Sequence, residues 1–394
     1  MNRCVALAGE LADRGHAVLF ATQEEGRHGL GDRGIEHVPW EPREGLVAHL
    51  RAVRNAAAKS EWFRGHALIT GDHADLYPTV FASLARLLPA VAPDFLIVPQ
   101  VLTPAIDLAP HVGLPAAVVA SYVPPELRLH PIEATPRRSR LASPWGRLRL
   151  ARAGARLARA RRACSPCRPA AETLRATPVI AMSDPSLEAG TTFTPNVHMV
   201  GPFMPRPLPA LPPSTRRWME AQPAGVVLAA FGTLVTLPER RLAALAEGLA
   251  RAGASVLWSL PASQHALAEG ASPGFRAESF VPQTTILSSP SVRAFVSHAG
   301  ANSALEAMYW GRPILALPFM LDQHYYAGRV VDLSIGLALD HRTFTSADVQ
   351  RAAGRLLHEP GFAEAAGRLS TRLRATPGLA GAADLVEAAL EQRR

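Results

Sequence analysis

Lysine is almost absent from this chain: Lys59 is the single lysine among 41 basic residues in 394. The formal charge of +8 is therefore carried by arginine. Cysteine is scarce too, with only Cys4, Cys164 and Cys167. Three thiols build no disulfide framework, so a reducing cytoplasm is the expected setting. Cys164 and Cys167 have the spacing of a redox or metal pair, yet no second ligand pair lies nearby and no thioredoxin-like βα unit opens there. Long apolar runs are missing: none approaches the roughly 20 residues that cross a bilayer. The first residues read as an amphipathic helix, unlike the charged-then-apolar pattern of a secretory leader.

What is present is a globular composition, 48% hydrophobic, in a length that suits two domains with a core each. Much of the basic excess lies between Arg137 and Arg168. Trp145 to Ala163, WGRLRLARAGARLARARRA, sets Leu150, Ala153 and Leu157 at helical spacing among arginines. A solvated helix explains it most simply. A membrane-surface helix, giving peripheral membrane contact, is the second reading, since Arg and Leu on one helix suit an anionic interface. Nucleic acid is not an expected partner, because no motif with base-stacking aromatics accompanies the charge.

The first half alternates helical stretches with short apolar runs, Ala17–Ala21, Phe95–Val98, Ala116–Ala120 and Val179–Met182, which read as buried parallel strands. Residues 201–223 hold seven prolines, Pro202, Pro205, Pro207, Pro209, Pro212, Pro213 and Pro223, the composition of a semi-rigid linker. A second α/β segment follows, with strands expected at Val226–Ala230, Ser255–Ser259, Arg293–Ser297 and Ile314–Leu317 and helices at Pro238–Ala252, Ser346–Leu357 and Ala382–Gln392. The expected domains are 1–200, 224–375 and, as a separate closing helix, 376–394.

The densest chemistry lies in FVPQTTILSSPSVRAFVSHAGANSALEAMYWGRPILALPFMLDQ, residues 280–323. It reads as strand, glycine turn at His298–Gly300, helix from Asn302 to Trp310, and strand. Such a βαβ unit places its ligand at the carboxyl end of the strands, against the amino end of the helix. Helix-start amides are donors without intrahelical partners, so an anion is the expected guest. Gly300 lets the backbone approach it. Asn302 and Ser303 either cap the helix or bond the anion. Glu306 shares their face, where a carboxylate suits a pair of sugar hydroxyls. A phosphate beside a ribose is a nucleotide.

These forty-odd residues resemble the donor-binding signature of the UDP-glycosyltransferase superfamily. PNVHMVGP (195–202), VVLAAFGTL (226–234) and LAGELADRGHAVLFAT (7–22) extend the likeness more weakly. The resemblance implies an α/β GT-B fold, two Rossmann-like doubly wound domains facing a cleft, with the last helix crossing back to the first domain. It implies an inverting hexosyltransferase using a UDP- or dTDP-sugar and a small lipophilic acceptor such as a secondary metabolite. By position, Phe280 stacks on the base and Gln283 contacts base or ribose. His298, Gly300, Asn302 and Ser303 hold the diphosphate with Gly232 and Thr233. Glu306 binds the ribose, and Asp322 with Gln323 holds hydroxyls of the sugar. No Asp-x-Asp motif occurs, so neither metal nor other cofactor is expected.

The family's catalytic His–Asp pair is not found. Aligning Val5–His16 puts the His immediately before Met1, which suggests an internal start, and the Asp position holds Pro99, followed by Gln100. Asp72, His73 and Asp107 lie in the acceptor half as candidates for a substitute, and the catalytic residues are left unassigned. A non-catalytic nucleotide-sugar-binding partner of another transferase therefore remains as the alternative, and an epimerase of the same fold as a third.

Overall fold

The computed structural model describes residues 3–27, 29–42, 44–46, 49–50, 52–53, 56, 62–123, 127, 129, 144–164, 170–188, 191–232, 237–320 and 322–392. Thr233, Cys167 and most of the 124–143 stretch lie outside them. The chain divides into two compact units, Met1–Phe203 with Thr376–Arg394, and Met204–Ala375.

The first unit begins with α1 (Arg3–Asp13) and the parallel pair β1 (Val18–Thr22) and β2 (Ile35–Pro39). The long helix α2 (Trp62–Val91) then leads to β3 (Leu96–Pro99), α3 (Thr103–His111) and β4 (Ala116–Ala120). Helices α4 (Pro144–Cys164) and α5 (Ala170–Ala176) precede β5 (Val179–Ala181) and β6 (Val197–Met199). Among the described residues its strands form two separate parallel sheets, β1-β2 and β3-β4-β5-β6. Val98, Val118 and Val179 from the larger sheet meet Tyr77, Val80 and Leu84 of α2 and Ile106 of α3 in one core. Strands covered this way read as unbroken apolar runs, which is why the sequence shows them. Helix α2 runs through Pro78 and Pro89, residues that ordinarily end or kink a helix, which is why no helix of this length was expected.

Residues 376–394 pack in this unit as α14 (Gly378–Glu391), counting the second unit's helices first. Arg14 donates to Asp384 at 2.7 Å and to Glu387 at 2.8 Å, and Gly378 N–H donates to the Val200 carbonyl at 2.6 Å.

The second unit opens with the proline-rich stretch. It is less a linker than the sequence suggested: from Met204 it belongs to the unit, and its last prolines start helix α6 (Pro213–Glu220), which buries Thr215 and Met219. The elements β7 (Val226–Ala230), α7 (Glu239–Arg251), β8 (Ser255–Ser259), α8 (His265–Glu269), β9 (Phe275–Glu278), α9 (Gln283–Ser288) and β10 (Val292–Ser297) follow. Then come α10 (Ala301–Tyr309), β11 (Ile314–Ala316), α11 (Asp322–Asp332), β12 (Gly336–Ala338), α12 (Ser346–His358) and α13 (Pro360–Arg374). The six strands are parallel, in the order β9-β8-β7-β10-β11-β12. Numbered within the unit this is 3-2-1-4-5-6, the order of a doubly wound nucleotide-binding sheet. The direction of winding reverses between β7 and β10. In sheets of this order ligands bind at that point, outside the carboxyl ends of the strands. Phe231-Gly232 and Ser297-His298 are the residues that leave those two ends.

Candidate functional site

All the residues singled out between 280 and 323 fall in the second unit, and most converge on the amino end of α10. The turn after β10 is tight. Ala299 takes a left-handed conformation with φ 58 although it is not glycine, and Ser297 Oγ accepts its N–H at 3.2 Å. Strain of this kind persists where surrounding structure imposes it. Ser297 and Ala299 are fully buried.

His298 is wedged between two glycines. A methyl added at Gly232, whose φ is 68, would lie 3.1 Å from the imidazole Cε1; one added at Gly300 would lie 2.5 Å from Nε2. The ring therefore occupies space that side chains on either neighbour would fill. Desolvation holds its pKa down at about 4, opposed in part by a hydrogen bond to the Ala230 backbone. At neutral pH the ring of the ligand-free protein is uncharged. An anion placed against it would favour the protonated form.

Helix α10 starts without a side-chain cap of its own, because its cap position is Gly300. Asn302 and Ser303 lie inside the helix, so they are not the caps that the sequence allowed. The acceptor comes from α11 instead: Asp322 Oδ2 takes the Ala301 N–H at 2.7 Å. One turn along α10, Glu306 is 5% exposed, which excludes a solvated surface position. Gln283 Nε2 donates to Glu306 Oε2 at 2.6 Å and to Ser303 Oγ at 3.3 Å. Ser303 and Glu306 are thus reached by one side chain from α9 and share a face of α10, as the helical spacing predicted. Gln323 is buried, and its Oε1 accepts the N–H groups of Phe319 and Met320 at 2.8 and 3.0 Å. Only its amide nitrogen is left for a ligand. Phe280 stands in the turn between β9 and α9 and is 81% exposed, a cost in apolar surface that a stacking partner would remove. Sequence reasoning found these side chains but not Asp322's capping bond, since helix spacing says nothing about contacts between two helices.

The acceptor-half residues are less suggestive. Asp107 is buried and takes hydrogen bonds from Tyr77 and Arg161, a structural pairing. Asp72 bonds His49, and His16 Nε2 lies 2.9 Å from Glu387. Gln100 Oε1 is buried without a hydrogen-bond partner among the described residues. No helix among the described residues is long and apolar enough to cross a membrane.

A doubly wound sheet whose switch point carries a glycine-flanked histidine, a helix start with glycine at its cap position and a buried carboxylate defines a nucleotide-binding α/β protein. The family model for UDP-glucoronosyl and UDP-glucosyl transferase matches residues 173–378, more than half of the sequence, and the chain belongs to that family. The rat 2-hydroxyacylsphingosine 1-beta-galactosyltransferase is 30% identical over 198 residues, covering 50% of this chain and 36% of that protein. Human UDP-glucuronosyltransferase 2B10 is 28% identical over 180 residues, covering 45% and 34%. The chain thus spans about a third of the length of the curated relatives it matches. Among solved structures, the glycotransferase of kitacinnamycin aligns with a TM-score of 0.74 at 22% identity, over 98% of this chain and 95% of the other. Os79 from O. sativa in complex with UDP aligns at 0.73 and 19% identity, over 99% and 98%. The fold is GT-B, as the sequence implied.

Proposed function

We propose that this chain transfers a hexose, with inversion, from a UDP- or dTDP-sugar to a hydroxyl of a small lipophilic acceptor. The observation that carries this reading is the meeting of His298, the α10 amino end and buried Glu306 at the switch point of one parallel sheet. The diphosphate lies against His298 and the α10 amides, which are aimed before the reaction at charge that grows as the nucleoside diphosphate departs. Glu306 exchanges the Gln283 amide for ribose hydroxyls, Phe280 supplies the face for the base, and Asp322 with the Gln323 amide nitrogen meets the sugar. The chemistry asked of these groups is charge stabilisation and positioning, so no divalent ion takes part.

The comparisons support donor and acceptor class by analogy. Solved relatives include VinC in complex with DTDP and Os79 in complex with a trichothecene, and the calicheamicin glycosyltransferase CalG4. Antibiotic or other secondary metabolism is the setting this suggests. A lipophilic acceptor also gives meaning to α4, which is rich in arginine, holds no acidic residue and exposes Trp145 by 72%: peripheral contact with an anionic membrane surface through this helix belongs to the same proposal.

The test is turnover of UDP- and dTDP-sugars with a panel of hydroxylated lipophilic acceptors, with and without EDTA. Glycoside of inverted configuration, formed equally in EDTA, is the expected result. Donor that binds but yields no glycoside with any acceptor would favour a non-catalytic binding partner instead.

A further inference from the structure

Asp322 does more here than wait for sugar hydroxyls. It is the first residue of α11, and it closes the open start of α10 by accepting the Ala301 N–H at 2.7 Å. Its carboxylate supplies both the acceptor that Gly300 lacks and the negative charge that a helix amino end favours. Its place is fixed from behind, because Gln323 Oε1 pins the backbone of Phe319 and Met320 just before α11. The next amides of α10, those of Asn302 and Ser303, are where the diphosphate sits in the proposed function. A fixed carboxylate and a terminal phosphate are then neighbours on one helix end.

We propose that Asp322 makes the site prefer the nucleotide sugar over the nucleoside diphosphate left after transfer, and so helps expel that product. The inference rests on the donor-site reading above. In the transfer, the bond between the anomeric carbon and the phosphate oxygen breaks with its electron pair left on oxygen. The acceptor oxygen bonds to that carbon, and the acceptor proton goes to a base or to solvent. Each phosphate of the donor carries one negative charge. The terminal phosphate of the product loses its ester and approaches two charges at neutral pH, since its second pKa lies near 6. The added charge appears at the phosphate next to the sugar, hence next to Asp322. At the same moment the sugar hydroxyls that had donated to the carboxylate leave with the acceptor. Attraction is replaced by repulsion. Two like unit charges about 5–6 Å apart at an effective dielectric constant near 20 change a binding constant by at most roughly a hundred- to three-hundredfold, and screening at a site open to solvent brings this down toward tenfold.

Calorimetric titration of the wild-type chain and of Asp322→Asn with UDP and with UDP-glucose, repeated with dTDP and dTDP-glucose, tests this without an acceptor. Asparagine keeps an oxygen for the Ala301 N–H, so the cap and the fold survive. The expected result is that Asp322→Asn binds the bare diphosphate about tenfold more tightly while the sugar donor binds equally or more weakly. A purely structural cap would alter both ligands together or neither. If the wild type binds both ligands and the variant binds the diphosphate no more tightly, the inference falls and the donor site stands. If the wild type binds neither pair, the donor-site reading fails and the inference goes with it.

Discussion

Replacing Gly300 by alanine probes the diphosphate cradle with a single methyl group. Gly300 has φ −62 and ψ 148, values open to alanine, so the backbone itself resists nothing. The three atoms nearest to the new methyl all belong to the His298 ring, at 2.5, 3.1 and 3.4 Å. Unstrained contacts lie at about 3.5 Å, so the ring must retreat by roughly 1 Å. Moving toward Gly232 or swinging off its rotamer breaks its bond to the Ala230 backbone. Overpacking of this sort costs folding about 1–3 kcal/mol. The displaced ring can no longer meet the phosphate, and a hydrogen bond to a charged group is worth about 1.5–3 kcal/mol, or ten- to a hundredfold in donor Kd. Calorimetry with UDP-glucose reads the second effect, and thermal melting reads the first. Gly354→Ala is the control: it lies within α12, and an added methyl there meets no atom within 4 Å. That change should raise the melting temperature, being worth about 0.5–1 kcal/mol, and leave binding as it was. A Gly300→Ala protein that binds UDP-glucose like the wild type would refute the cradle.

Three further outcomes are expected. Phe280→Ala should leave the melting temperature within the range of surface substitutions, about 0.5 kcal/mol, while donor affinity falls by the about 1–3 kcal/mol of a lost base–aromatic stack; equal affinity would mean the base lies elsewhere. Glu306→Ala should weaken the donor several-fold by calorimetry, and unaltered binding would remove Glu306 from the ribose site. For His298, the unfolded chain titrates near 6.5 and the folded protein near 4. Between those values the unfolded chain holds the extra proton, so stability declines as pH falls through that window. His298→Asn should flatten that acid limb of the melting profile, and an unchanged limb would contradict the burial of a neutral ring.

Much of this was legible in the residues, and the exceptions have physical causes. Strands buried on both faces, such as Val226–Ala230 and Ser255–Ser259, stand out as apolar runs and were located to the residue. Val197–Met199 and Gly336–Ala338 are three-residue strands at the edges of their sheets, too short and too mixed to show. Pro212 and Pro213 read as linker, yet proline tolerates the first turn of a helix, and Pro213 begins α6. At the site, local spacing revealed the shared face of Ser303 and Glu306. The Gln283–Glu306 and Asp322–Ala301 bonds join residues 23 and 21 positions apart, distances at which no periodicity speaks.

The central claim is that the amino end of α10, beside His298, is where a pyrophosphate linked to a hexose is held. A crystal structure of the protein with UDP-glucose, or with dTDP-glucose, tests it most directly. The account predicts the two phosphates between the His298 ring and the first amides of α10, with the ribose on Glu306. Nucleotide found elsewhere, or that helix end empty at saturating donor, would contradict it.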